Sequence, residues 1–375
     1  PPPIFRWRKS ARAGRPWRVP GLCHGSARPR ARMPGRGAAD NPLMRLSPRA
    51  TGIAAAVITV AIWTGFIVIG RASAGRTLLP FDIGLLRVLG ASAVLLPWGW
   101  WLTRGRRDTA SSSLLGLSPL PLRQTVLAGF FGGFIYAVLC YAGFFYAPAA
   151  HASVLMPGSL PLWTALLAAV LLGDRITPAR ALGLACIVAG DVLVGGEGLL
   201  SAFRGGEVWK GDLIFMSAAA CWATYGVLAR KFGLDAVRAT IAITVFACFT
   251  YVPLFVLLTG TGVLPTRLPQ APWGEIAFQA LFQGVGSVVI SGITFVQMVR
   301  AFGPVKSTMI TALVPGLSAL GAVLLLGEPL GWNLLVGLAL VTAGILFGVR
   351  ATRQKTTDLI AARACPASAG GPKRS

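Results

Sequence analysis

Long apolar runs alternate with short polar breaks along this chain, and the length of the runs decides the element type. Seven stretches contain no Asp, Glu, Lys or Arg: 50–70, 124–150, 152–173, 239–266, 276–299, 307–327 and 329–349. A helix rising ~1.5 Å per residue needs about 20 such residues to cross a hydrocarbon layer of ~30 Å. Each run is therefore predicted as a membrane-spanning helix. Three further runs carry a charge inside or near one end: 82–102 with Arg87, 178–196 with Asp191, and 212–230. The predicted fold class is an all-α integral membrane protein of ten transmembrane helices. The breaks are short, so no soluble domain of the usual ~100 residues has room to exist.

The pattern repeats. Leu171-Leu172-Gly173-Asp174-Arg175 recurs 154 residues later as Leu325-Leu326-Gly327-Glu328-Pro329. The same offset pairs Ser153 with Ser307, Pro161 with Pro315, Ala168 with Ala322, Gly183 with Gly337 and Gly190 with Gly344. Matching at one fixed offset is the mark of an internal duplication. It divides the chain into a first five-helix repeat, 50–196, and a second, 211–350, flanked by tails 1–49 and 351–375. Five helices is an odd number, so the second repeat must lie upside down relative to the first. Inverted repeats of this kind build transporters with two nearly equivalent states, one open to each side.

Charge sets the orientation. With the N-terminus in the cytoplasm, the inner loops hold eleven Lys and Arg and the outer loops five. Cytoplasmic loops carry the excess of positive charge, so both termini are expected inside, in the plasma (inner) membrane. Composition agrees: 13% of residues are charged and 54% hydrophobic, with a mean hydropathy of +0.68. The net charge of +23 resides largely in the tails. Residues 1–49 carry eleven Arg and one Lys against Asp40 alone, a composition that cannot bury a core and predicts disorder. The tail is expected to be solvated, or to be sequence read through from upstream of the true start; a basic arm touching anionic membrane lipid is the alternative, and no nucleic-acid partner is expected. Met44-Arg45-Leu46, just before the first span, reads as a natural start.

Catalytic and metal-binding patterns are missing from the sequence. There is no HExxH, GxSxG or Walker A, and the six cysteines form no CxxC with His24 or His151 nearby at ligand spacing. No cofactor, metal site or catalytic residue is expected, and an integral-membrane enzyme or a receptor is disfavoured. Cys140, Cys186, Cys221 and Cys248 read as small apolar packing residues.

The doubled motifs resemble the EamA family of the drug/metabolite transporter superfamily. The residues that carry the likeness are Pro161, Gly173, Asp174, Gly183 and Gly190 in the first half, and Pro315, Gly327, Glu328, Gly337 and Gly344 in the second. Ile62-Trp63-Thr64-Gly65 leading to Arg71 and Cys221-Trp222-Ala223-Thr224 leading to Arg230 add a matched pair, and Leu86-Arg87 fits the family's early Arg in the second helix. Asp174 stands where the family usually has Glu. The resemblance covers roughly 50–350. It implies a secondary transporter moving a small organic metabolite, amino-acid-like or drug-like, by alternating access, in the direction of efflux. A lipid-linked sugar flippase of the same fold is the alternative.

Candidate cavity residues are the polar-capable side chains deep in the spans: Trp63, Tyr136, Tyr141, Trp222, Tyr225 and Gln283. Facing lipid would strand their hydrogen-bonding groups. Gln279, four residues before Gln283, shares its face, and Gln297 is expected to point inward as well. Arg87 costs ~2.5–3.5 kcal/mol at the centre of a bilayer. It is either a substrate-charge residue or a side chain reaching out to the interface. His151 and Lys306 are candidate gating residues at the two faces. Asp174 and Glu328 are expected to cap the N-termini of the helices that follow them; pairing with a cation as a gate is the alternative. No acid lies clearly at mid-span, which argues against a buried carboxylate relay. Gly129 with Gly133 and Gly344 with Gly348 have the GxxxG spacing that lets helices approach closely, and offer faces for a second copy of the chain.

Overall fold

A computed structural model describes residues 48–104 and 112–364. Among the described residues the structure is helical, with a lone β-bridge between Ser113 and Ser118. The helices are α1 (Pro48–Ala74), α2 (Pro80–Thr103), α3 (Leu122–Tyr146), α4 (Ala149–Leu172), α5 (Pro178–Ala202), α6 (Val208–Lys231), α7 (Ala236–Gly260), α8 (Trp273–Gly303), α9 (Met309–Leu326) and α10 (Trp332–Ala364). Among the described residues, nine are long and apolar enough to cross a membrane. The tenth, α10, contributes a shorter apolar stretch, Trp332–Gly348, and then continues as helix to Ala364. Of the basic tail expected over 1–49, residues 1–47 lie outside the described residues and Pro48 and Arg49 open α1; Cys23, His24 and Cys365 also lie outside them.

The repeated Leu-Gly-acid phrase is a helix stop. Gly173 closes α4 at φ 72° and Gly327 closes α9 at φ 67°, a left-handed turn that glycine adopts without steric cost. The amide N–H groups of the next residues, Asp174 and Glu328, donate to Ala168 and Ala322, each at 3.2 Å. The donors and the acceptors are both repeat mates, so the duplication survives as duplicated geometry.

Glycines also fix how the two repeats meet. A Cβ at Gly183 would lie 2.7 Å from the carbonyl oxygen of Gly344, and one at Gly344 would lie 2.5 Å from that of Gly183. Gly190 and Gly337 approach each other in the same way, at 2.6 and 2.9 Å. Since Gly183 matches Gly337 and Gly190 matches Gly344, each residue touches the mate of the other's partner. Reciprocal contact of this sort is what a two-fold axis imposes, here between α5 and α10 of one chain. The GxxxG pairs are used within the chain: Gly129 packs on Phe246, Gly133 on Ile243 and Gly344 on Gly183.

Three stretches are wound as π-helix: Phe130–Phe134 in α3, Val154–Gly158 in α4 and Ala280–Ile290 in α8. Such widened turns in α-helices frequently sit at functional positions. Pro157 lies inside the second, and Pro161 opens the regular helix after it, where its missing N–H is no loss. The core between the helices is built from Ile83, Tyr141, Phe144, Leu155 and Phe215, all fully buried.

Candidate functional site

The central cluster is organised by Arg87, which is held inside the bundle rather than stretched to the interface. Its Nη1 donates to Ser287 Oγ at 3.0 Å and to the backbone carbonyl of Gln283 at 3.3 Å. Both acceptors lie in the π-wound part of α8. The guanidinium also sits 5.4 Å from the centroid of the Phe66 ring, within cation–π range. The Phe66 ring meets Tyr141 edge-on at 6.1 Å, and Arg87 is within electrostatic reach of the hydroxyls of Tyr136 and Tyr141. Arginine, tyrosine and glutamine thus converge where α1, α2, α3 and α8 meet. The close α2–α8 approach depends on Gly90 and Gly284, since a Cβ at Gly284 would fall 2.7 Å from Gly90 Cα.

Gln283 is wholly buried, and neither atom of its side-chain amide has a hydrogen-bond partner among the described residues. The hydroxyl of Tyr141, 1% exposed, faces the Arg87 guanidinium. Leaving a buried polar group unsatisfied costs about 1–3 kcal/mol, so the Gln283 amide is poised for a ligand that supplies donors and acceptors. Gln279 is also buried, and its Nε2 donates to Ser73 Oγ at 2.7 Å. Gln297, in contrast, is exposed: it lies past the π-wound stretch, toward the end of α8, where the inward face has rotated away.

The remaining aromatic candidates fall into two groups. Tyr136 packs on Trp222 with centroids 4.8 Å apart, and Trp222 on Tyr225 at 5.2 Å. Trp63 stacks on Phe295 at 5.4 Å, a separate contact between α1 and α8. Sequence reading did not single out Phe66 or Ser287. Ser287 lies four residues after Gln283, on the same face, which was the available signal.

Glu328 does different work from the cap expected of it, and Asp174 pairs with a cation. Glu328 caps a helix, but not the one that follows it: its carboxylate accepts from the backbone N–H groups of Ala149 and Ala150 at 3.0 Å each. Those are the first residues of α4, 179 and 178 positions away. Arg71 joins this cap, with Nε 3.4 Å from Glu328, while its Nη1 donates to the carbonyl of Phe144 at 2.7 Å. Asp174 is bound by its cation side-on: Arg230 donates two bonds to its carboxylate, at 2.6 and 3.1 Å. Glu328 sits at the N-terminal end of α4 and Asp174 just beyond its C-terminal end. About 36 Å of helix separates them at ~1.5 Å per residue, so the two ion pairs lie at opposite ends of the bundle. Arg71 and Arg230 are repeat mates, as are Glu328 and Asp174. Each pair joins the first helix of one repeat to the fourth helix of the other.

His151 is not an idle interfacial residue: its Nδ1 lies 2.9 Å from Asp212 Oδ1. Lys306 is exposed, between α8 and α9. Asp191 is buried near the middle of α5, Pro178–Ala202, which corrects the expectation that no acid lies clearly at mid-span: the apolar run stopped at 196 and put Asp191 near its end, whereas the helix continues to Ala202. Cys140, Cys186, Cys221 and Cys248 are free thiols. Among the described residues, no three His, Cys, Asp or Glu side chains are grouped to hold a metal ion.

The pattern of the EamA-like transporter family matches residues 50–196 and 209–350. The chain belongs to that family. This EamA-like transporter is 29% identical over 222 residues to the uncharacterized transporter YyaM of Bacillus subtilis (strain 168), covering 59% of this chain and 71% of the relative. It is 28% identical over 298 residues to an uncharacterized transporter of Archaeoglobus fulgidus, covering 77% of this chain and 93% of that one. A solved crystal structure shares the fold, with a TM-score of 0.50 and 23% identity over 82% of this chain and 99% of its own. The EamA-like chain is thus a multi-pass integral membrane protein whose relatives are named as transporters.

Proposed function

We propose that this EamA-like protein is a secondary transporter that exports a small organic metabolite, amino-acid-like or drug-like. It works by alternating access between two inverted five-helix repeats, ten spans in all, in the plasma (inner) membrane with both termini cytoplasmic. The reading rests on one observation above others: the symmetry-related pairs Arg71–Glu328 and Arg230–Asp174 tie the repeats together at opposite ends of the bundle. Releasing one pair opens one end while the other stays closed. Arg87, Gln283 and Tyr141 form the seat of the solute, and Trp63, Tyr136, Trp222 and Tyr225 its aromatic walls. A cation and a hydroxyl beside an unpartnered amide favour a solute with a carboxylate and further polar groups. Arg87 acts as the substrate-charge residue, with His151 and Lys306 near the two mouths.

The test compares metabolites in medium and cytosol between cells lacking the protein and cells overproducing it. A solute that accumulates outside with the wild-type protein, and not with Gln283→Ala or Arg87→Ala at equal membrane levels, identifies the substrate. No protein-dependent difference for any small solute would overturn the transport reading, and a difference of opposite sign would overturn the direction.

A further inference from the structure

A second site lies away from the Arg87 cluster and shares no residue with it. A cavity of about 280 Å³ opens between α4, α5 and α6, at the end of the bundle that holds Glu328 and His151. Its wall is apolar: Leu155, Leu162, Val188, Val192, Trp209 and Met216. Its mouth is flanked by Leu199 and Leu213, both exposed as lipid-facing residues are. Two carboxylates line this otherwise oily space. Asp191 is 7% exposed, and neither of its oxygens has a hydrogen-bond partner among the described residues. Asp212 is 5% exposed; Oδ1 meets His151, and Oδ2 has no partner. Glycines make the room. A Cβ at Gly198 would collide with Asp212 Oδ2, and one at Gly195, one turn after Asp191, would lie 4.0 Å from the same oxygen. Buried carboxylate oxygens without donors are costly in a medium this apolar, and the cost is removed by a counter-charge that brings N–H groups. Three acceptor oxygens above an apolar wall match a primary ammonium carried on a compact apolar body, not a metal ion, which needs more oxygens, nor an anion.

We propose that this cavity binds an organic amine, its ammonium group between Asp191 and Asp212 and its apolar body against Leu155, Leu162 and Met216. The His151 contact fixes the Asp212 carboxylate by donating its Nδ1–H to Oδ1, which turns Oδ2 toward the cavity. Free amines and amine-headed lipids share this chemistry, and the mouth between Leu199 and Leu213 gives either one entry.

The experiment uses the full chain in phosphatidylcholine nanodiscs. Equilibrium binding of radiolabelled 2-phenylethylamine is measured beside that of 2-phenylethanol, which has the same body without the charge. Saturable binding is expected for the amine and not for the alcohol. Asp191→Asn is expected to weaken the amine tenfold or more. Gly196→Leu is expected to do the same by filling space, because a Cβ there meets nothing within 4 Å while both carboxylates are left intact. If Asp191→Asn does not fold, Gly196→Leu decides alone. Nanodiscs containing phosphatidylethanolamine separate the two sources: competition with the probe assigns the seat to the lipid headgroup, and its absence assigns it to free amines. Equal binding of amine and alcohol, unchanged affinity in both variants, or no saturable binding by the wild type would each overturn the proposal. So would an Asp191→Asn protein of raised thermal stability beside a wild type that binds no amine, since the carboxyl would then simply hold a proton.

Discussion

At the scale of single residues, the two acids of the repeated phrase are the clearest case of like sequence with unlike energetics. The Glu328 side chain is 11% exposed and satisfies two backbone N–H groups at the positive end of α4. Arg230, which holds Asp174, is 62% exposed, and exposed ion pairs contribute about 0–1 kcal/mol. Glu328→Ala should therefore cost about 1–3 kcal/mol and Asp174→Ala under about 1 kcal/mol, read as thermal unfolding in one detergent. Equal losses would mean that the two ends are sealed alike. Gln283 makes the opposite kind of prediction. Its amide is buried with no partner, so Gln283→Met, similar in length and apolar, should leave stability unchanged or raise it by about 1 kcal/mol while export falls to background. A variant that loses stability and keeps export would show the amide to be structural.

At the scale of elements, the α5–α10 crossing decides whether the repeats stay joined. Its four glycines bring backbone against backbone at carbonyl distance, leaving no space for a side chain. Gly190→Val should overpack the crossing and cost about 1–3 kcal/mol. Gly226→Ala on α6, where a Cβ would meet nothing within 4 Å, should be neutral or slightly stabilising, as replacing a helix-interior glycine usually is. Paired thermal unfolding curves check both; a tolerated Gly190→Val would show that the helices separate more easily than their packing implies. The sequence reading located these glycines by their repeat offset. It could not tell that Gly183 faces Gly344 rather than Gly337, because the offset reports ancestry and only folding around a two-fold axis sets the partner.

At the scale of the whole molecule, the two ion pairs predict how the transporter moves. Replacing Arg71 and Glu328 by cysteines and oxidising them should lock one end, and the same treatment of Arg230 and Asp174 should lock the other. Either lock alone should stop export, and reduction should restore it, measured with the other cysteines removed. Export that continues through either crosslink would exclude rocking about these contacts. Topology gives a second check. A reporter active only in the cytoplasm, fused after Ala364, should work, and one active only outside should work in the connection between α5 and α6. Activity of the outside reporter after Ala364 would mean that the short apolar stretch of α10 does not span.

By itself the sequence determined the elements and their duplication. Helix length follows from apolar run length, because bilayer thickness leaves few alternatives, and the helix stops follow from Gly173 and Gly327, because a left-handed turn selects glycine locally. Arg87, Gln283, Tyr141 and Trp222 could be named as candidates because polar-capable side chains in an apolar run tend to point inward, a rule that placed Gln283 in the interior and failed for Gln297. Tertiary structure alone decided who meets whom. Glu328 finds the start of α4, Arg87 finds Ser287 200 residues away, and Asp191 and Asp212 come to face one cavity. Capping groups, cations and carboxylates act over a few ångströms, and in a bundle those distances are set by how helices cross rather than by their order in the chain.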